Sequence, residues 1–124
     1  MRIFKTKLFA RFTRGERITD EHLCEAVERA ARGLIDADLS GGLIKQRVAR
    51  PGRGRSGGFR VLLAFRPKER AVFVFGFAKN ERENINDKEL AVVREVAASW
   101  LAADAKNIEK ALAEGLLIEV KNES

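Results

Sequence analysis

Between Ile44 and Lys79 the apolar residues recur with a period of two, whereas on either side they recur with the period of a helix. In "LIKQRVAR", Ile44, Gln46 and Val48 point one way, while Lys45, Arg47 and Ala49 point the other. "GFRVLLAFR" and "AVFVFGFAK", rich in Val and Phe, follow, joined by the turn "PKER" around Pro67. Connections this short leave room only for antiparallel neighbours, because a parallel pair needs a crossover of a dozen or more residues. The centre of the chain is therefore expected to be a three-strand meander. Its first hairpin runs from Ile44–Arg50 through a loop at 51–58 to Phe59–Arg66.

Helical signals flank this centre. "RIFKT" predicts a short first strand, and in "KLFARFTR" Leu8, Phe9 and Phe12 recur at helical spacing. Thr19 or Asp20 is a natural N-cap for a second helix, whose stripe of Leu23, Val27, Ala30 and Ala31 ends at Gly33. After the loop "DADLSGG" and the strands, Asn86 with Glu89 three residues later has the form of a capping box. Leu90, Val93, Ala97, Trp100 and Leu101 then mark one helix face. A further helix is expected over 107–114, and "LLIEV" is a possible terminal strand. The expected class is α+β: two N-terminal helices, a small mainly antiparallel sheet, and C-terminal helices. At 124 residues, with no internal repeat or linker, one domain over 1–124 is expected, with a helical extension from about residue 87.

Several classes of function are disfavoured at once. A single cysteine, Cys24, allows no intrachain disulfide, and with the lone His22 it makes no zinc cluster. The opening "MRIFKTKLFARF" interrupts its apolar residues with cations and does not read as a secretory signal, so the cytoplasm is the expected compartment. "GRGRSG" at 52–57 matches the glycine pattern of dinucleotide sites, but a strand follows it where that fold needs a helix. Asp36 and Asp38 in "IDADL" read as a solvated loop, since two alternate acids without further ligands do not hold a metal.

Charge is where the chain departs from an ordinary small domain. The net charge is +6, yet residues 44–82 carry eleven Lys and Arg against Glu69 and Glu81. Six of those cations fall within "IKQRVARPGRGRSGGFR", which contains no acid. A field so segregated attracts polyanions, nucleic acid first and an acidic protein partner second. Alternation puts Lys45 and Arg47 on one strand face, and Arg60 reaches that face from the next strand. Like charges that close repel unless an anion lies between them. A phosphodiester suits the site, because arginine forks onto phosphate oxygens. Lys79 and Arg82, at the exit of the third strand, close the rim, with Glu81 expected to ion-pair with one of them. Arg50, Arg53 and Arg55 are further phosphate-binding candidates.

The order and spacing of "LIKQRVAR", "GRSGGFRVLLAF" and "VFVFGFAKNERENI" after two helices resemble the RelE/ParE superfamily of bacterial toxins, in its RelE/HigB-like branch. The resemblance covers roughly residues 4–85. It implies a toxin paired with a neutralising antitoxin, expected to be a helix-turn-helix protein, and an activity of ribosome-dependent mRNA cleavage without metal or other cofactor. The ribose 2'-hydroxyl would attack the adjacent phosphodiester and expel the 5'-oxygen, with Lys45 taking the proton. Arg60 and Arg47 would hold the phosphate, and Lys79 or Arg82 would protonate the leaving oxygen. Some family nucleases use Tyr or His near the scissile phosphate; this chain has no Tyr, and His22 falls in the first strong helix, where a partly exposed surface histidine is expected rather than a catalyst. That departure favours a reaction in which the ribosome orients the message. Three classes stay open: this nuclease, a noncatalytic toxin or nucleic-acid-binding module (a ParE-like gyrase inhibitor among them), and a basic groove for an acidic peptide.

Overall fold

The period-two centre forms the middle of a six-stranded sheet in the computed structural model, which describes residues 1–50 and 54–121 and the side chains of all of these but 54–56. In chain order the elements are β1 (Arg2–Thr6), α1 (Lys7–Glu16), α2 (Asp20–Ala31), β2 (Ala37–Asp38), β3 (Leu43–Arg50), β4 (Gly54–Arg66), β5 (Arg70–Ala78), α3 (Asp87–Ala102), α4 (Ala105–Ala113) and β6 (Leu117–Glu119). The strand order is β2-β3-β4-β5-β1-β6. Strand β1 runs parallel to β5, and every other neighbouring pair is antiparallel. The α+β class is as expected, with two refinements. "DADLSGG" contains β2, paired with Ile44 and Lys45, and β4 begins at Gly54 rather than Phe59.

Each sheet face packs against one pair of helices, and the sequence explains both. Thr6 caps α1, its hydroxyl accepting from the Phe9 N–H. Thr19 caps α2 in a box closed by His22, whose Nδ1 accepts the Thr19 N–H. His22 is thereby a helix cap. The buried stripes of α1 and α2 bring Phe9, Leu23, Ala26, Val27 and Ala30 against Ile44, Val48, Phe59, Val61, Leu63 and Phe73. Phe9 stacks on Phe73 at 5.3 Å, and Phe12 meets Phe59 edge-on at 5.9 Å. Burying a ring such as Phe9 contributes roughly 1.5–3 kcal/mol. Leu8, within the apparent stripe of α1, instead points outward and is 70% exposed.

The opposite face is covered by α3 and α4, whose Val93, Ala97, Leu101, Ile108 and Ala111 pack on Leu43, Leu62, Ala64 and Val72. Trp100, partly buried, packs against this cluster. Asn86 and Glu89 form the expected capping box. At the other end of α3 two arginines donate to the last carbonyls: Arg66 to the Leu101 oxygen at 2.9 Å, and Arg70 to the oxygens of Trp100 and Ala103 at 2.6 and 2.8 Å. Cations at a helix C-terminus are favoured by the macrodipole. Part of the basic run thus serves to seat α3.

One irregularity redirects the aromatics of β5. Leu62 pairs with Phe75 and Leu63 with Phe73, so Val74 is an extra residue on β5. A bulge of this kind shifts the phase of alternation. Phe73 faces α1, whereas Phe75 and Phe77 face the α3 side. Gly76 returns to the α1 face, where a Cβ would lie 2.4 Å from the Phe12 ring. Only glycine lets the helix settle this close.

Candidate functional site

Helices α3 and α4 cover one half of their sheet face, and the other half carries the cations. On β3, Lys45 and Arg47 share that face with Leu43; on β4, Arg60 shares it with Leu62 and Ala64. Arg47 is directly opposite Arg60, Lys45 is opposite Leu62, and Phe77 of β5 is opposite Arg60 on its other side. Neighbouring strands lie about 4.8 Å apart, so these side chains form one continuous surface.

The turn after β5 folds back over this surface. Arg82 lies over the rings of Phe75 and Phe77, 5.7 and 5.4 Å from their centroids, and pairs with Glu89 of α3. Glu89 therefore closes the α3 cap and holds Arg82 at once, and these contacts, the Arg82 hydrogen bond foremost, keep its carboxyl below the usual glutamate range. The Lys79 ammonium pairs with Glu83 at 2.7 Å, and this bond, with the Lys79 and Arg60 charges, lowers the Glu83 carboxyl. Lys45 Nζ meets the Asn84 side-chain oxygen at 3.4 Å. The expected pairing of Glu81 with Lys79 or Arg82 is corrected here: the partners are Glu83 and Glu89. A turn places the carboxylate at i+4 against Lys79, and the folding of α3 onto the sheet brings Glu89 to Arg82.

Gly58 fixes how tightly the strand ends converge. A Cβ there would lie 2.2 Å from the Val48 oxygen and 2.8 Å from the Arg50 nitrogen, and the Gly58 carbonyl accepts the Lys79 N–H at 3.0 Å. Backbone from β3 and from the residue after β5 thus closes on β4 two residues before Arg60.

Asp36 is the residue that sequence reasoning placed wrongly. Rather than a solvated loop acid, it is 18% exposed at its side chain and accepts from the Arg47 backbone N–H at 2.7 Å, from Arg47 Nε and Nη2 at 3.1 and 2.9 Å, and from Arg29 Nη1 at 3.2 Å. Burial opposes its ionisation, but the Arg47 hydrogen bonds and the two guanidinium charges outweigh burial and hold the carboxyl below its ordinary value. Arg60 experiences the reverse. Burial, then the charge of Arg47, lowers its hold on its proton, and Asp36 and Glu83 partly restore it.

The remaining candidates do not all join this surface. Arg50 lies on the α1 face, over the Phe59 ring at 5.5 Å and beside Gly15 and Arg17. Arg53, and the side chain of Arg55, lie outside the described residues. A depression between α2 and Lys121 is lined by Asp20, Glu21, Cys24, Glu25 and Glu28, an acidic lining ill suited to a phosphate. Asp38 accepts from the Ser40 N–H at 2.8 Å. Among the described residues no His, Cys, Asp and Glu cluster is arranged to hold a metal, and no helix is long and apolar enough to cross a membrane.

In a comparison against protein families, the model of the RelE toxin of the RelE/RelB toxin-antitoxin system matches residues 1–120. The chain belongs to the RelE toxin family. A search of curated proteins finds no match. As the RelE toxin of a RelE/RelB system, it has a cognate RelB antitoxin as its implied partner. The match reaches beyond the sequence resemblance at 4–85 and takes in α3, α4 and β6.

Proposed function

We propose that this RelE toxin is a ribosome-dependent mRNA endoribonuclease that acts in the cytoplasm by metal-free attack of a ribose 2'-hydroxyl on the adjacent phosphodiester. The observation that carries this reading is the pairing of Arg47 with Arg60 on the open half-face, with Lys45 one step along the same strand face. Two cations held opposite each other across a ladder repel, and an oxyanion between them relieves that repulsion. Such preorganised charge is what a phosphorane transition state requires.

In this mechanism Arg47 and Arg60 bind the non-bridging oxygens. Lys45 removes the 2'-hydroxyl proton; its ammonium meets the neutral Asn84 oxygen, and among the described residues no carboxylate pairs with it. Lys79 delivers a proton to the departing 5'-oxygen once it leaves Glu83, with Arg82 as the alternative donor; Arg82, held by Glu89 and by two aromatic rings, is better suited to binding phosphate. Neither His22, which caps α2, nor any Tyr takes part, so positioning of the message falls to the ribosome. The antitoxin is proposed to be a helix-turn-helix protein.

The test is to map message ends after brief induction of the toxin and of its Lys45→Ala and Arg60→Ala variants. Codon-phased cuts with the natural chain, and none with either folded variant, are expected. Growth arrest without cuts would move the assignment to a noncatalytic toxin such as a gyrase inhibitor. Tight antitoxin binding with no affinity for RNA or ribosomes would leave only the acidic-peptide groove.

A further inference from the structure

We propose that Asp36 is a positioning residue for Arg47, holding its guanidinium in register with Arg60 by means of a buried polar relay from α2. The inference rests on the nuclease reading above and assigns a role within it to a residue that touches no substrate.

The relay begins in the core. Gln46 is fully buried, and its amide nitrogen donates to the oxygens of Ala26 and Leu34 at 3.0 and 3.1 Å. Its side-chain oxygen accepts the Asp36 N–H at 2.8 Å, which fixes the Asp36 backbone against β3. Arg29, 4% exposed, donates through Nε to Glu25, through Nη1 to Asp36, and through Nη2 to the Arg47 carbonyl. Every polar group in this chain of contacts is satisfied, and a fully satisfied buried network is rigid.

What the relay delivers is orientation. β2 pairs with Ile44 and Lys45, and further along, at Arg47, no strand among the described residues lies beside the outer edge of β3. Asp36 and Arg29 take that place, one accepting the Arg47 N–H and the other donating to its carbonyl. One oxygen of the same carboxylate, Oδ1, accepts from both Nε and Nη2 of Arg47, while Oδ2 accepts the Arg47 backbone N–H and Arg29 Nη1, so side chain and backbone of Arg47 are held by one group. A half-exposed arginine facing Arg60 would otherwise swing into solvent to escape the like charge. Asp36 engages one edge of the guanidinium, and the remaining N–H groups, out of the five donors an arginine carries, stay available to a phosphate.

The experiment is a double-mutant cycle on cleavage of ribosome-bound message, with wild type, Asp36→Asn, Arg47→Ala and the double variant, together with the NMR resonance of the Arg47 Nε–Hε group. Asp36→Asn is expected to lower kcat/KM by about tenfold to a hundredfold, the usual cost of misplacing a reacting group by an ångström. Arg47→Ala is expected to fall at least as far, and the double variant no lower than Arg47→Ala. In the wild type the Arg47 Hε should exchange slowly, and in Asp36→Asn rapidly, while the Arg29 Hε stays protected. An unaffected Asp36→Asn, or a double variant lower than Arg47→Ala by the whole factor lost on Asp36→Asn alone, overturns the inference. Fast exchange of the Arg47 Hε in the wild type overturns it without any variant. A wild type that cuts no message on ribosomes overturns the nuclease reading instead, so the two failures are distinct.

Discussion

Replacing Gly58 by alanine tests whether the close approach of three strand ends builds the basic surface. The added methyl would sit 2.2 Å from the Val48 oxygen and 2.8 Å from the Arg50 nitrogen, both backbone atoms that no rotamer change can move. Relief requires β3 and β4 to separate by about an ångström, and overpacking of this kind costs typically 1–3 kcal/mol. The Gly58 carbonyl also accepts the Lys79 N–H, and loss of that bond adds about 1 kcal/mol. The total is roughly 2–4 kcal/mol, which for a chain of this length lowers Tm by about 8–15 °C. Gly15 supplies the opposite control, since it lies within α1 with nothing within 4 Å of its Cβ position. Gly15→Ala is expected to raise Tm by about 2–4 °C, from a helix gain of roughly 0.5–1 kcal/mol. Thermal unfolding by circular dichroism reads both variants, and message cleavage at a temperature where Gly58→Ala remains folded reads the site. If Gly58→Ala melts within about 2 °C of the wild type and cleaves equally well, the pinch at Gly58 neither stabilises the sheet nor places Lys79, and the reasoning fails.

Two further outcomes follow from the carboxylates. Glu83→Gln releases Lys79 from an exposed pair, so Tm should stay within about 1 °C, while the dependence of RNA affinity on salt steepens by up to about one unit of log–log slope; an unchanged slope would mean that Lys79 reaches no phosphate. The folded-state pKa of Asp36 lies below its ordinary 3.8, so its contribution is complete above that value and is lost as pH falls through the lower folded value. Urea midpoints of the wild type should therefore drop more steeply than those of Asp36→Asn below about pH 4, and parallel curves would show that Asp36 is not held by Arg29 and Arg47.

Much of this arrangement was legible because it depends on local rules. The capping box of Asn86 and Glu89 needs only a spacing of three, and the shared face of Lys45 and Arg47 needs only the pleat of a strand. Arg60 could be added because a short hairpin brings one strand against the next. The faces of Phe75 and Phe77 required knowledge of the bulge at Val74, which no residue type announces. Strict alternation would have put them with Phe73 against α1. Asp36 was misread for a related reason. Its partners Arg29 and Arg47 come from α2 and β3, and a carboxylate in a polar loop looks the same in sequence whether or not two arginines close on it. Arg66 and Arg70 contributed to the count of basic residues but seat the end of α3.

The carboxylates around the surface explain how so many like charges coexist before RNA arrives. Arg47 leans on Asp36, Lys79 on Glu83 and Arg82 on Glu89, each acid supplied from outside the strands that carry Arg47 and Arg60. Only Asp36 is anchored by a buried arginine; Glu83 is 90% exposed at its side chain. A phosphate approaching Lys79 competes with a solvated partner that costs little to displace, whereas one approaching Arg47 meets a cation whose partner stays in place. The surface is therefore graded. Its strand side is rigid, which suits the proposed placement of a scissile phosphate between Arg47 and Arg60. Its turn side, from Lys79 to Asn84, can exchange partners, and it is there that the proposed mechanism passes a proton to the leaving oxygen.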